Sequence, residues 1–165
     1  MTVRRAKESD IQEIARLLYQ VHDLHATGRP DLFKKGMRKY DDARLAEILG
    51  ETDRPIFVCA EGERLLGYAF CVIKTENDPS HMPIKTLYLD DLCVDGTARR
   101  RGVGKTLYDR VCAYAVEIGC HNLTLNVWAC NPGALRFYEK MGMKVQKFGM
   151  ETLLERADGG KNEGN

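Results

Sequence analysis

Arg99-Arg100-Arg101-Gly102-Val103-Gly104-Lys105-Thr106 is the stretch on which the reading of this chain turns. It follows an apolar run ending at Val94 and opens an amphipathic segment that reaches Gly119. Cations and glycines therefore stand where a strand hands over to a helix. The first turn of a helix carries unpaired N–H groups and about half a positive charge, which attract anions. Glycine, lacking Cβ, lets a ligand approach those groups closely. Two readings follow from these residues alone: a cradle for a phosphorylated ligand, or a solvated basic turn capped by glycine.

Working outward, Val103, Leu107, Val111, Tyr114, Ala115 and Ile118 form a helix stripe that Gly119 closes. Upstream, Ile84 to Val94 reads as a strand apolar on both faces, and such a strand belongs inside a covered sheet. Asp90 and Asp91 interrupt it, and burying them is costly without a partner or a role. Ile56–Glu61 and Leu65–Thr75 flank the turn signal Gly62-Glu63 and predict a hairpin. Ser9-x-x-Gln12 has the form of a capping box ahead of a helix from about Asp10 to His25, and a second helix runs from about Asp42 to Gly50. Thr2–Arg5 is a short strand. Beyond Gly119, Asn122–Trp128 alternates as a strand, Asn131-Pro132-Gly133 opens a short helix ended by Gly142, and Met143–Leu154 reads as a last strand. Residues 155–165 are polar and glycine-rich, and are expected to form a flexible tail.

Strands and helices are thus mixed within one domain over 1–154, an α+β or mixed α/β arrangement. At 165 residues the chain has room for one core that buries roughly two-thirds of its unfolded surface. A net charge of +1 gives no global reason to expect nucleic acid or a membrane as partner. The first residues lead into polar sequence without an apolar core, so no export signal is expected. The six cysteines form no C-x-x-C pair, and four of them fall in apolar periodic segments. Free thiols in a reducing cytoplasm are expected. His22 and His25 lie three apart on one helix face without an evident third ligand, so no metal is expected.

Several chemistries are excluded by spacing. Gly104-Lys105-Thr106 matches the tail of a P-loop, but the glycine required five residues earlier is Arg99. The dinucleotide fingerprint fails because its third glycine position is Leu107. Ser9 and Ser80, the only serines, lie in no nucleophile elbow.

Arg99-x-x-Gly102-x-Gly104 after Leu92-Cys93-Val94 resembles the acetyl-CoA signature of the GNAT superfamily of N-acetyltransferases. Asn131-x-x-Ala134-x-x-Phe137-Tyr138-x-x-x-Gly142 is similar to that family's second motif, at the expected distance downstream. Met143 stands where the family commonly has phenylalanine. Tyr88-Leu89-Asp90-Asp91-Leu92 further resembles polyamine acetyltransferases, and aminoglycoside acetyltransferases place an acid at the position of Asp90.

The resemblance implies a mostly antiparallel sheet of about six to seven strands with about four helices, splayed between the strands at 84–94 and 122–128. It implies acetyl-CoA as cosubstrate, its pyrophosphate held by backbone N–H groups from about Arg100 through Arg101, Gly102, Val103 and Gly104 to Lys105, with Arg99 closing the loop or pairing with phosphate and Thr106 also among the cofactor-binding residues. The pantetheine arm would pair with the strand at Leu92, Cys93 and Val94, and Asn131 would meet that arm or the helix it opens. Tyr138 would protonate the leaving thiolate, and Asp90, or alternatively Asp91, would take the proton of the attacking amine. Strict alternation puts those two acids on opposite faces; a bulge would change which one meets the substrate. Asp31, Phe33, Asp90 and Trp128, with His22 and His25 nearby, would line the acceptor pocket. A small cationic metabolite or antibiotic is the implied acceptor. A protein N-terminus or lysine, and a non-catalytic acyl-CoA-binding module, are the other readings. Many relatives form dimers, so the resemblance admits a homodimer, while the sequence itself marks no interface.

Overall fold

Alternating side-chain direction along strands buried on both faces sorts the core to two sides of one sheet. Ile56, Val58 and Ala60 join one core cluster, while Phe57 and Cys59 join the other. The computed structural model describes residues 1–154, and the tail expected at 155–165 lies outside the described residues. The elements run β1 (Thr2–Arg5), α1 (Ile11–Gly28), α2 (Asp42–Gly50), β2 (Ile56–Glu61), β3 (Arg64–Thr75), β4 (Lys85–Val94), α3 (Val103–Glu117), β5 (Asn122–Thr124) and α4 (Pro132–Lys140). Short 3-10 turns precede α1 at Glu8–Asp10 and α3 at Gly96–Ala98.

The result is a single α+β domain. The sheet order is β1-β2-β3-β4-β5, antiparallel up to β4 and parallel between β4 and β5. Ile14, Leu17 and Leu18 of α1 and Leu45 and Ile48 of α2 cover one face. Val103, Leu107 and Val111 of α3 cover the other, with Phe137 and Tyr138 of α4 packed against them. Among the described residues, no helix is long and apolar enough to cross a membrane.

The described residues hold five strands, not six to seven. Alternation is necessary for a strand, but backbone groups also need a ladder partner. β5 finds one only from Thr86↔Asn122 to Tyr88↔Thr124, so 125–128 leaves the sheet. Gly142, at φ 88°, turns the chain after α4, and no ladder among the described residues includes 143–154. The cap of α1 also differs from the expectation. Asp10, not Ser9, closes the turn, accepting from the Lys7 N–H (2.9 Å) and pairing with Arg4 (2.7 Å). Gln12 instead reaches Asp42 of α2 (3.0 Å).

Asp95 ties the end of β4 to α1. It is buried, accepts from the Thr97 N–H (2.9 Å) and hydroxyl (2.8 Å), and is paired with Arg16 (2.7 Å) and Arg64 (3.2 Å). Burial works against its charge, but the Thr97 donors and both guanidinium groups hold its carboxyl well below the usual range. Asp95→Ala removes a cap and leaves two cations without their shared anion, and should cost about 2–4 kcal/mol. Denaturant titration checks this, and a change under about 0.5 kcal/mol, ordinary for surface substitutions, would contradict it.

Candidate active site

The basic glycine stretch forms the turn between the Gly96–Ala98 3-10 turn and α3. Arg100 at φ 63° and Gly102 at φ 83° both take left-handed backbone, which a glycine adopts without strain. The first bond inside α3 runs from the Thr106 N–H to the Gly102 carbonyl (3.0 Å). The N–H groups of Val103, Gly104 and Lys105 therefore have no partner within the helix. The Thr106 hydroxyl turns back on the Gly102 carbonyl (3.1 Å).

The cations are arranged unequally. Arg101 is paired with Glu61 of β2 (2.7 Å) and Lys105 with Asp109 one turn on (2.6 Å), while Arg99 and Arg100 are exposed. Gly104 has a packing duty too. A Cβ there would stand 3.3 Å from Phe137 Cζ and 3.5 Å from Val94 Cγ2, so it lets α4 and β4 close on α3.

β4 carries the next part of the site. Its ladder to β3 pairs Phe70 with Asp91 and Cys71 with Leu89, leaving Asp90 as the extra residue of a bulge. Leu87 and Leu89 pack toward α3 before the bulge, and Leu92 and Val94 do so after it. Asp90 and Asp91 therefore share the opposite face, that of α1 and α2, and the strict alternation expected from sequence is corrected. Cys93 is on that face as well, its thiol 3.6 Å from the Leu17 carbonyl.

Asp90 accepts from Lys39 Nζ (2.7 Å) and the Tyr40 hydroxyl (3.2 Å). Asp91 accepts from the Tyr68 hydroxyl (2.8 Å). Burial pushes the Asp91 carboxyl up to about 6, with Tyr68 and Lys39 pulling the other way. The ladder between β4 and β5 ends at Tyr88, so among the described residues Leu92, Cys93 and Val94 have no strand partner on that side. Asn126 donates to the Tyr88 hydroxyl (3.1 Å).

α4 brings Tyr138 to the α3 side. Its ring packs 5.1 Å from Phe137 and 6.3 Å from Tyr108. Burial first, and then the Asp91 carboxylate, push the Tyr138 phenol well above its ordinary range, so it keeps its proton at neutral pH. Asn131 meets the helix it opens. It caps α4, its side-chain oxygen accepting from the Ala134 N–H (3.1 Å).

Of the residues expected to line an acceptor pocket, Phe33, Trp128, His22 and His25 stand together, with Asp31 joined through Arg29, while the contacts of Asp90 are with Lys39 and Tyr40. Phe33 stands edge-on to Trp128 (5.6 Å) and contacts His22 and His25 (5.7 and 5.5 Å). Arg29 lies over Trp128 (5.7 Å) and pairs with Asp31 (2.7 Å). Burial, then the charges of His22 and Lys39, lower the His25 pKa.

Sequence reasoning missed Lys39, Tyr40, Tyr68 and Asp95. Asp95-Gly96-Thr97 carries an aspartate-turn signal that would have pointed to Asp95. The others carry none, because only folding brings them to β4.

A family model described as "Acetyltransferase (GNAT) family" matches residues 18–143. Thialysine N-epsilon-acetyltransferase of Bos taurus is 27% identical over 150 residues, covering 85% of this chain and 82% of that protein. L-ornithine N5-acetyltransferase of Arabidopsis thaliana is 35% identical over 71 residues, covering 43% of this chain and 31% of its own length. The solved structure of a mutant of the BH1408 protein from Bacillus halodurans aligns with a TM-score of 0.89 at 29% identity, covering 94% of this chain and all of that one.

Proposed function

We propose, from the premise that the chain belongs to the acetyltransferase (GNAT) family and is an N-acetyltransferase, that it moves an acetyl group from acetyl-CoA to the primary amine of a small cationic acceptor by direct attack. The observation that carries this reading is the bulge at Asp90, which turns two carboxylates to one face just past the end of the ladder between β4 and β5.

Each residue has a role in this proposal. The N–H groups of Val103, Gly104 and Lys105 hold the pyrophosphate of coenzyme A, and Arg99 and Arg100 add charge at the rim. Backbone of Leu92, Cys93 and Val94 pairs with the pantetheine arm, and one N–H there polarises the thioester carbonyl. Asp90 holds the ammonium of the acceptor. Asp91, poised near neutrality, takes the proton the amine must lose before it attacks. Tyr138 donates a proton to the departing thiolate. Asp31, Phe33 and Trp128 form one wall of the acceptor pocket.

A terminal amine on a short aliphatic arm is the acceptor class proposed. Its support is the pair of acids facing it and the thialysine and ornithine named in the relatives' activities. The test is a panel of diamines, amino acids with terminal amines, aminoglycosides and peptides, with thiol release from acetyl-CoA as readout. Thiol release on a small diamine or amino acid is the expected result. Acetyl-CoA binding without turnover on any amine would leave a binding module, and turnover on peptides alone would overturn the acceptor class.

A reducing cytoplasm is part of the proposal, supported by six free cysteines. So is a homodimer. Val145, Phe148, Met150, Leu153 and Leu154 are exposed on the segment that reads as a strand, and no described strand pairs with the outer edge of β5, which the same segment of a second copy would join. Light scattering should return twice the 18.7 kDa chain mass, and a monomer would refute it.

A further inference from the structure

The connection between α1 and α2 delivers Lys39 to the candidate acceptor site. Its neighbours are fixed on both sides. Arg38 pairs with Asp42 (2.6 Å) and lies over the Tyr19 ring (5.4 Å). Tyr40 packs on Phe70 (5.7 Å), accepts from Arg54 (2.9 Å) and donates to Asp90. Between them, Lys39 Nζ sits 2.7 Å from Asp90 Oδ2 and 5.3 Å from the centre of the Tyr40 ring. A primary ammonium on a four-carbon arm thus occupies the carboxylate that an acceptor ammonium of the same chemistry would need. The pair is still open to exchange, because the Lys39 side chain is 43% exposed.

We propose that Lys39 is an internal acceptor: with acetyl-CoA bound and no external amine present, its Nζ is acetylated by its own active site. The inference rests on the acetyl transfer proposed above and adds a modification site to it. Asp91 takes a proton from the ammonium, directly or through water. The freed lone pair of Nζ forms the bond to the thioester carbonyl carbon, and the carbon–sulfur bond breaks. The sulfur leaves with its electron pair and takes the Tyr138 proton, and the second proton that the nitrogen loses on becoming an amide restores the Tyr138 phenol. The products are one amide at Lys39 and one free thiol per chain. The amide carries no charge, so the ion pair to Asp90 is lost and that carboxylate becomes free for external ammonium groups.

Burial lowers the Lys39 pKa but the bond and charge of Asp90 outweigh it and raise the pKa overall, so labelling should quicken as pH rises. The experiment incubates the full chain with acetyl-CoA alone and maps acetyl groups by peptide mass spectrometry while following thiol release. The expected result has three parts: one acetyl group per chain, on Lys39; at least tenfold less labelling under saturating amine from the panel; and slower labelling in Tyr138→Phe. Acetyl groups spread over exposed lysines such as Lys105, at a rate that Tyr138→Phe leaves unchanged, would mark uncatalysed acetylation and overturn the proposal. External amine turnover with Lys39 unlabelled would overturn it while leaving the enzyme's function intact. A chain that turned over no amine and labelled no lysine would bring down both.

Discussion

Tyr138→Phe should lower kcat by about 10²–10³-fold while leaving acetyl-CoA affinity unchanged, the range of a lost general acid. The reasoning begins with the leaving group. A thiolate is the conjugate base of a group titrating near ~8.5, so it departs more easily when a proton meets it. Tyr138 is half-buried on α4 among Phe137 and Tyr108, and burial together with the Asp91 charge keeps its phenol protonated. Phenylalanine keeps the ring and its packing and deletes only the hydroxyl. Calorimetry against acetyl-CoA separates binding from chemistry, and steady-state kinetics on the best amine of the panel gives kcat. A kcat within about twofold of wild type, under half a kcal/mol of barrier, would take Tyr138 out of the acid role.

Asp91→Asn should lower kcat/KM by about 10²–10³-fold and change the shape of the pH profile. In the wild-type chain, burial holds the Asp91 carboxyl at about 6, above its ordinary value. A base works only unprotonated. Activity should therefore fall as pH drops through about 6 and recover above it. The asparagine variant should lose that acid limb along with most of its rate. A variant that keeps the limb would move the base to Asp90, the other carboxylate of the bulge. Tyr68, which donates to Asp91, gives a second check on the same unit.

The legible part of the molecule was the part written in local pattern. The hairpin around Gly62-Glu63, the stripe of α3 and the opening of α4 at Asn131-Pro132-Gly133 fold where their spacing says they should. The pair of acids at Asp90 and Asp91 was legible as an anomaly in an apolar run. Its geometry was not, because a bulge is a property of two strands and Phe70 and Cys71 lie in the other one. Lys39 was invisible for the same reason, being far from Asp90 in sequence and joined to it only by the α1–α2 connection. The strands expected at 122–128 and 143–154 show the converse limit. Their alternation is real, yet β5 stops where its ladder to Tyr88 ends, and Met143–Leu154 joins no strand ladder among the described residues.

The same patterns decide what the basic stretch is. Arg101 and Lys105 are tied to Glu61 and Asp109, and the proposed recognition therefore rests on the backbone turn at Arg100 and Gly102 more than on these side chains. The central claim is that this turn and the neighbouring edge of β4 hold acetyl-CoA between them. Amide hydrogen exchange with and without acetyl-CoA tests it most directly. The account predicts new protection at Val103, Gly104 and Lys105 and along Leu92–Val94. Protection confined to other surfaces, or none at saturating acetyl-CoA, would contradict it.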